Sequence, residues 1–310
     1  MKRFATLLAL CGLSTVSISC GSEEAERLDS LPPVTAKAGG LTLLTPIVRG
    51  IPVGKDATYC TFTDVITKEK LLIHNTYGAQ SPGGHHAIMF YTPVPETPRT
   101  VPCEAADMER FRQVLGGTGG EGTAVWEPTP NVAAEIPAGA QLIVQHHWIN
   151  YTDKPMDGQA ILFTEPAVMR PDTVLAGATA VVATNFRIPA NSPLQVTSEC
   201  EFKKQKRYMV GLPHQHEWGK HVKIELVRAA GGTEKIIDTD FDPSMVFEPP
   251  VTDFERKGAR LVVEPGDKIR LTCDWNNTRA EPLEFPREMC VFFGYSDDGE
   301  VAYCTNGEWD

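Results

Sequence analysis

From Leu41 to the C-terminus the chain is a succession of short β-prone runs separated by Pro and Gly, which limits its fold more than any other feature. Residues 70–74, 87–91, 141–148, 179–182, 222–227, 260–263 and 268–273 are apolar or alternating runs of strand length, set between turn residues. No stretch holds a stripe of helical period over three turns, so helix is expected to be minor. Many short strands with frequent turns indicate sandwiches or barrels. Residues 137–150 also echo 264–277, with Gly139 on Gly266, Trp148 on Trp275 and Asn150 on Asn277. The same offset brings His85 and His86 close to His214 and His216. The expectation is an all-β chain of two tandem antiparallel jelly-roll-like β-sandwich domains, residues 41–168 and 169–310.

The N-terminus carries Lys2 and Arg3, an apolar run over 4–16 and small residues over 17–22, the pattern of an export signal. The run is too short to span a bilayer. Small residues directly before Cys20 resemble the lipobox of bacterial lipoproteins, although Ser17 stands where that motif usually has Leu. This implies a signal peptide over 1–19, a lipidated Cys20 with a polar tether to residue 40, and a lipid-anchored place in the bacterial cell envelope, periplasmic or outer membrane. The net charge is -11, and loss of Lys2 and Arg3 with the signal would take it to -13. So acidic a chain is a poor partner for nucleic acid, and the only membrane contact expected is the lipid anchor. Beyond Cys11 and Cys20, Cys60 and Cys103 fall in the first half and Cys200, Cys273, Cys290 and Cys304 in the second. Even numbers in each half of an exported chain point to disulfides, and no C-x-x-C spacing suggests a zinc or redox motif.

The chemistry-bearing residues are histidines. In His214-Gln215-His216 strand geometry sets i and i+2 side by side, so two imidazoles can reach one metal. His221 would lie on the opposite strand face. His85 and His86 would diverge on a regular strand, but Gly83 and Gly84 before them permit a bulge that aims both rings at one ion. In residues 142–148 Leu142, Val144, His146 and Trp148 share one face and Ile143, Gln145 and His147 the other, so one of the two histidines is a ligand. Met289, before Cys290, would offer a soft thioether favouring Cu(I), whereas three imidazoles accept either copper oxidation state. The glycine-rich stretch 116–122 lacks a following Gly-Lys-Ser/Thr and reads as a flexible surface loop.

Together, His85-His86-Ala-Ile-Met-Phe, Leu142-Ile-Val-Gln-His-His147-Trp, His214-Gln-His216 and Glu288-Met289-Cys290 resemble the copper type II, ascorbate-dependent monooxygenases, the family of peptidylglycine α-hydroxylating and dopamine β-monooxygenase. The resemblance runs from about Thr58 to Tyr303. It implies two copper ions: His85, His86 and His147 holding the electron-transfer copper, and His214, His216 and Met289 holding the catalytic one, where dioxygen binds. It selects His147 over His146, and it implies the bridges Cys60–Cys103, Cys273–Cys290 and Cys200–Cys304. The activity it implies is hydroxylation of a C–H bond of a small substrate with O2 and a one-electron reductant such as ascorbate. The amidating members carry an arginine two residues before H-x-H, and an asparagine and a tyrosine after Met-Cys. Leu212, Val291 and Phe293 stand there, which points away from peptide amidation and toward an apolar or aromatic substrate. A copper-binding envelope lipoprotein that buffers the metal without turnover is the alternative.

Overall fold

The computed structural model describes residues 26–310 apart from 105, 106, 108, 109, 120–122, 125, 126, 243, 244, 246–248 and 286. The signal peptide and the lipidation of Cys20 expected from the sequence, and Cys11, lie outside the described residues. Strands supply nearly all the regular structure, in two similar sandwiches.

In the first sandwich one sheet runs Thr42–Leu44, Ala160–Pro166, Leu71–Gln80, Val132–Ile136, and the other contains Asp56–Ile66, Gln141–Ile149, Gly84–Thr92 as neighbours. The second sandwich repeats this order. One sheet contains Gly177–Ala183, Cys290–Ser296, Lys206–His214, Leu261–Val263, and the other Ser192–Glu201, Lys268–Asn277, Gly219–Val227, Thr233–Asp240. Numbering the seven shared strands along the chain gives sheets 1-7-3-5 and 2-6-4 in both halves, the jelly-roll order. The 137–150 echo is structural as well. Gly139 and Gly266 both take positive φ (82° and 87°), where glycine has no Cβ to clash. Asn150 and Asn277 close identical turns: each Oδ1 accepts from the backbone N–H two residues on, and each Nδ2 donates to the carbonyl four residues on.

Trp148, Leu142 and Val144 anchor the first core, while Ile143 on the other face packs with Phe62, Phe90 and Phe111, so this strand is buried on both sides. Trp275, Tyr208 and Phe292 anchor the second core. The two sandwiches share apolar surface: Ala178, Met209, Val210 and Tyr295 join the first core beside Leu115. Three disulfides, Cys60–Cys103, Cys200–Cys304 and Cys273–Cys290, staple strand to strand or strand to loop.

Three expectations need correction. Residues 26–40 are not a free tether, because Leu28, Leu31 and Val34 pack on Ala79, Ile161 and Phe163, and the buried Gln159 amide bonds the backbone of Glu26 and Leu28. The junction is not clean at 168: Val174–Leu175 pairs in parallel with Val132–Ile136, and Ala176 N–H still bonds Ala133. The glycine-rich stretch is no surface loop as far as Gly119. Gly116 to Gly119 are buried, and Thr118–Gly119 pairs with His86–Ala87. A Cβ on Gly116 would lie 2.1 Å from Asn75 Oδ1, so the glycines serve close approach.

Candidate metal centre

A β-bulge places the first two histidines. Across the pair of central strands His147 faces His86 but Trp148 faces Gly84, leaving His85 as the extra residue. Positive φ at Gly83 (83°) turns the chain into it. The bulge cancels the strand alternation, and the His85 and His86 rings meet at 4.7 Å between centroids. His147 completes the group, and its ring centroid lies 4.6 Å from that of His85. His85 Nδ1 is 2.7 Å from His86 Nδ1 and 3.0 Å from His147 Nδ1.

The outer nitrogens fix which atoms carry lone pairs. His147 Nε2–H donates to the Asp56 carboxylate, and His86 Nε2–H donates to Gln145 Oε1 at 3.1 Å. Both rings therefore turn an unprotonated Nδ1 toward His85 Nδ1, a donor set converging on one point, and this fits a metal ion. Burial, followed by neighbouring imidazoles, holds His85 well below the usual histidine range and lowers His86 to about 3. His85 and His86 are therefore uncharged at neutral pH. Burial works to raise Asp56, but the hydrogen bond from His147 and the Arg287 guanidinium hold its carboxyl below the usual range.

His146 points to the other face. It lies against Trp148 and Tyr59, bonds Thr61 through Nε2 at 2.7 Å, and stays apart from the three-histidine group.

His214 ends its strand and His216 follows in the turn, with Nε2 atoms 3.1 Å apart. His216 Nδ1–H donates to the Arg287 carbonyl at 3.0 Å, so its Nε2 lone pair faces His214. Burial first, then nearby rings, lowers His214 well below its usual value and His216 to about 4. His214 pairs with Val291 at the end of the ladder, and the half-buried Met289 lies two residues beyond that pair on the facing segment, as His216 does on its own. Glu288 anchors this corner. Wholly buried, it accepts from His216 N (3.1 Å), Trp218 N (2.8 Å) and Trp275 Nε1 (2.8 Å), and burial pushes its carboxyl up to about 7 against those donors.

The two sets adjoin. His85 lies 5.5 Å from His216 and 5.8 Å from His214 between ring centroids, and His147 lies 5.7 Å from His216. Five imidazoles from two sandwiches thus form one group, buried but for the half-buried His86. The sets are not repeat-related, which corrects the offset drawn from sequence. Gly219 faces Trp275 as Gly84 faces Trp148, and a second bulge follows it. The positions matching His85, His86 and His147 are therefore Lys220, His221 and Asp274, while His214 and His216 match Ala79 and Ser81. A single offset fails because the segment joining the two central strands is eight residues longer in the first half (84 to 148 against 219 to 275). The sequence reading missed Gln80 and Gln215. Both are buried beneath those glycines and donate to the carbonyls of His147 and Asp274, and the shared Q-x-x-x-G spacing was the available signal. It also missed Asp56 and Arg287.

No family model matches the chain, and no curated protein matches it. Among solved structures, the major capsid protein P2 of bacteriophage PM2 is similar at 8% identity and a TM-score of 0.33, covering 83% of this chain and 97% of that one. At those values nothing is carried over from it.

Proposed function

We propose that this protein is a copper-dependent monooxygenase that hydroxylates a C–H bond of a small apolar substrate with O2 and a one-electron reductant such as ascorbate. The observation carrying the reading is the pairing of two unequal donor sets: three converging Nδ1 atoms on one side and two facing Nε2 atoms on the other, with Met289 two residues beyond the Val291 that pairs with His214. His85, His86 and His147 would hold one copper, and His214, His216 and Met289 the second. Bound copper would supply one-electron chemistry, with the thioether favouring the reduced ion at the second position.

The chain's own groups do the rest. Asp56 and Gln145 orient His147 and His86 through their outer nitrogens, the arrangement that fixes ring direction and raises ligand basicity. Burial keeps His85, His86, His214 and His216 uncharged. Glu288 holds the His216 turn against the segment that carries Met289. Leu212, Val291 and Phe293 share the His214 face, with Phe293 6.2 Å from that ring, and offer no cation to clamp a carboxylate. This supports an apolar substrate.

The same apolar surround, with His214 only 7% exposed, favours a second reading: a copper-binding envelope lipoprotein without turnover. Anaerobic reduction by ascorbate followed by O2 separates the two. Rapid reoxidation coupled to hydroxylation of an added aromatic or aliphatic substrate supports the enzyme, and copper retention without product supports the buffer. Export fits the three disulfides. We place the protein in the bacterial cell envelope, tethered through Cys20. No helix among the described residues is long and apolar enough to cross a membrane.

A further inference from the structure

One chain of polar contacts runs from the first histidine set to the second. His147 Nε2–H donates to Asp56, whose other oxygen accepts from Arg287 of the opposite sandwich. Arg287 also pairs with Glu217 at 3.1 Å and lies over the Trp218 ring at 4.7 Å, and its backbone carbonyl accepts from His216 Nδ1. Tyr151 of the first sandwich reaches Glu217 at 3.4 Å. Arg287 thus holds a ligand of each set at once, one through its guanidinium and Asp56, one through its carbonyl. With side chains 13% and 25% exposed, Asp56 and Arg287 are partly withdrawn from water, where a charge pair resists screening better than at the surface. The clamp sits at the site edge of an interface with an apolar core, where Tyr295, Val210 and Met209 pack on the first sandwich, and with further hydrogen bonds such as Gln113 Nε2–H to Tyr295 Oη.

We infer that Asp56 and Arg287 are positioning residues that hold the five imidazoles as one dinuclear copper unit rather than two isolated centres. This rests on the copper reading above, and its test has two arms. In metal-free protein, thermal melting of Asp56→Asn, Arg287→Gln and the double variant should show each single change lowering the midpoint and the pair lowering it no further. Additive losses would mean that the two side chains do not act together and would overturn the clamp. In protein loaded with Cu(II), wild type should give an electron paramagnetic resonance spectrum integrating to fewer than two spins for two coppers, or broadened by mutual coupling. Arg287→Gln should keep both coppers yet give two separate, full-intensity signals, with Arg287→Lys between them. Isolated signals in wild type, or unchanged coupling in Arg287→Gln, would overturn the dinuclear unit. A wild type that takes up no copper sinks the copper reading and the dinuclear unit together, whereas the melting cycle still judges the clamp.

Discussion

Glu288 is wholly buried, and the N–H groups of Trp218, His216 and Trp275, with that of Met289, are what hold its ionised form. Glu288→Gln turns an amide N–H2 toward donors and should cost about 2–3 kcal/mol in denaturant unfolding. It should also loosen His216, lowering copper affinity at that set first. Met289→Ala should leave the three-histidine copper bound while removing the sulfur contribution from the X-ray absorption spectrum of the Cu(I) protein. Equal loss of both metals would contradict the assignment. His147→Ala should remove one copper. His146→Ala should keep both and instead cost on the order of 2–4 kcal/mol, because a fully buried ring between Trp148 and Tyr59 leaves a cavity. The choice between these two histidines is half legible in sequence: alternation separates their faces, but which face meets His85 depends on the bulge. Asp56 and Arg287 are not legible at all, since they are 231 residues apart and neither carries a local pattern.

Among the elements, the central strands are the most readable, because β-branched and aromatic runs bounded by Pro and Gly leave few alternatives. Residues 141–148 anticipate Gln141–Ile149, and 222–227 the second part of Gly219–Val227. Segments whose burial depends on neighbours far along the chain are less readable. Leu28, Leu31 and Val34 are scattered among polar residues and Pro32-Pro33, so nothing local announces that they cover Phe163. The two bulges depend on glycine: a Cβ at Gly84 would lie 2.4 Å from Gln80 Cβ, and one at Gly219 2.9 Å from Gln215 Cβ. Gly84→Ala should therefore displace the bulge and weaken the three-histidine copper, with little effect on the other set in the same titration. Cys273–Cys290 closes a 17-residue separation beside Met289, and replacing both cysteines by Ser should cost about 3 kcal/mol. Asp267 ties the turn before Lys268 to the Arg228 segment. Burial works to raise its carboxyl, but Ala229 and Glu264 N–H and Arg228 hold it below the usual value. A folded value below the unfolded one adds stability above the unfolded pKa that is lost as pH falls through the folded pKa. Asp267→Asn should flatten the stability curve below pH ~4.

At the scale of the whole molecule, copper binding should stabilise, since a ligand that prefers the folded chain raises its melting midpoint with concentration. Loading with two equivalents should raise the midpoint and a chelator should reverse the change; an unmoved midpoint would count against ligands drawn from both sandwiches. The seven-strand order shared by the halves is hinted at by the 137–150 echo, but the echo alone misplaces the histidines, because unequal loop lengths break any single offset. Lys220, His221 and Asp274 stand where the first sandwich has its three imidazoles, and Ala79 and Ser81 stand where the second has its pair. If the halves descend from a duplicated ancestor, each donor set was either gained by one copy or lost by the other after the duplication, so the two halves hold their imidazoles at different places on a shared scaffold.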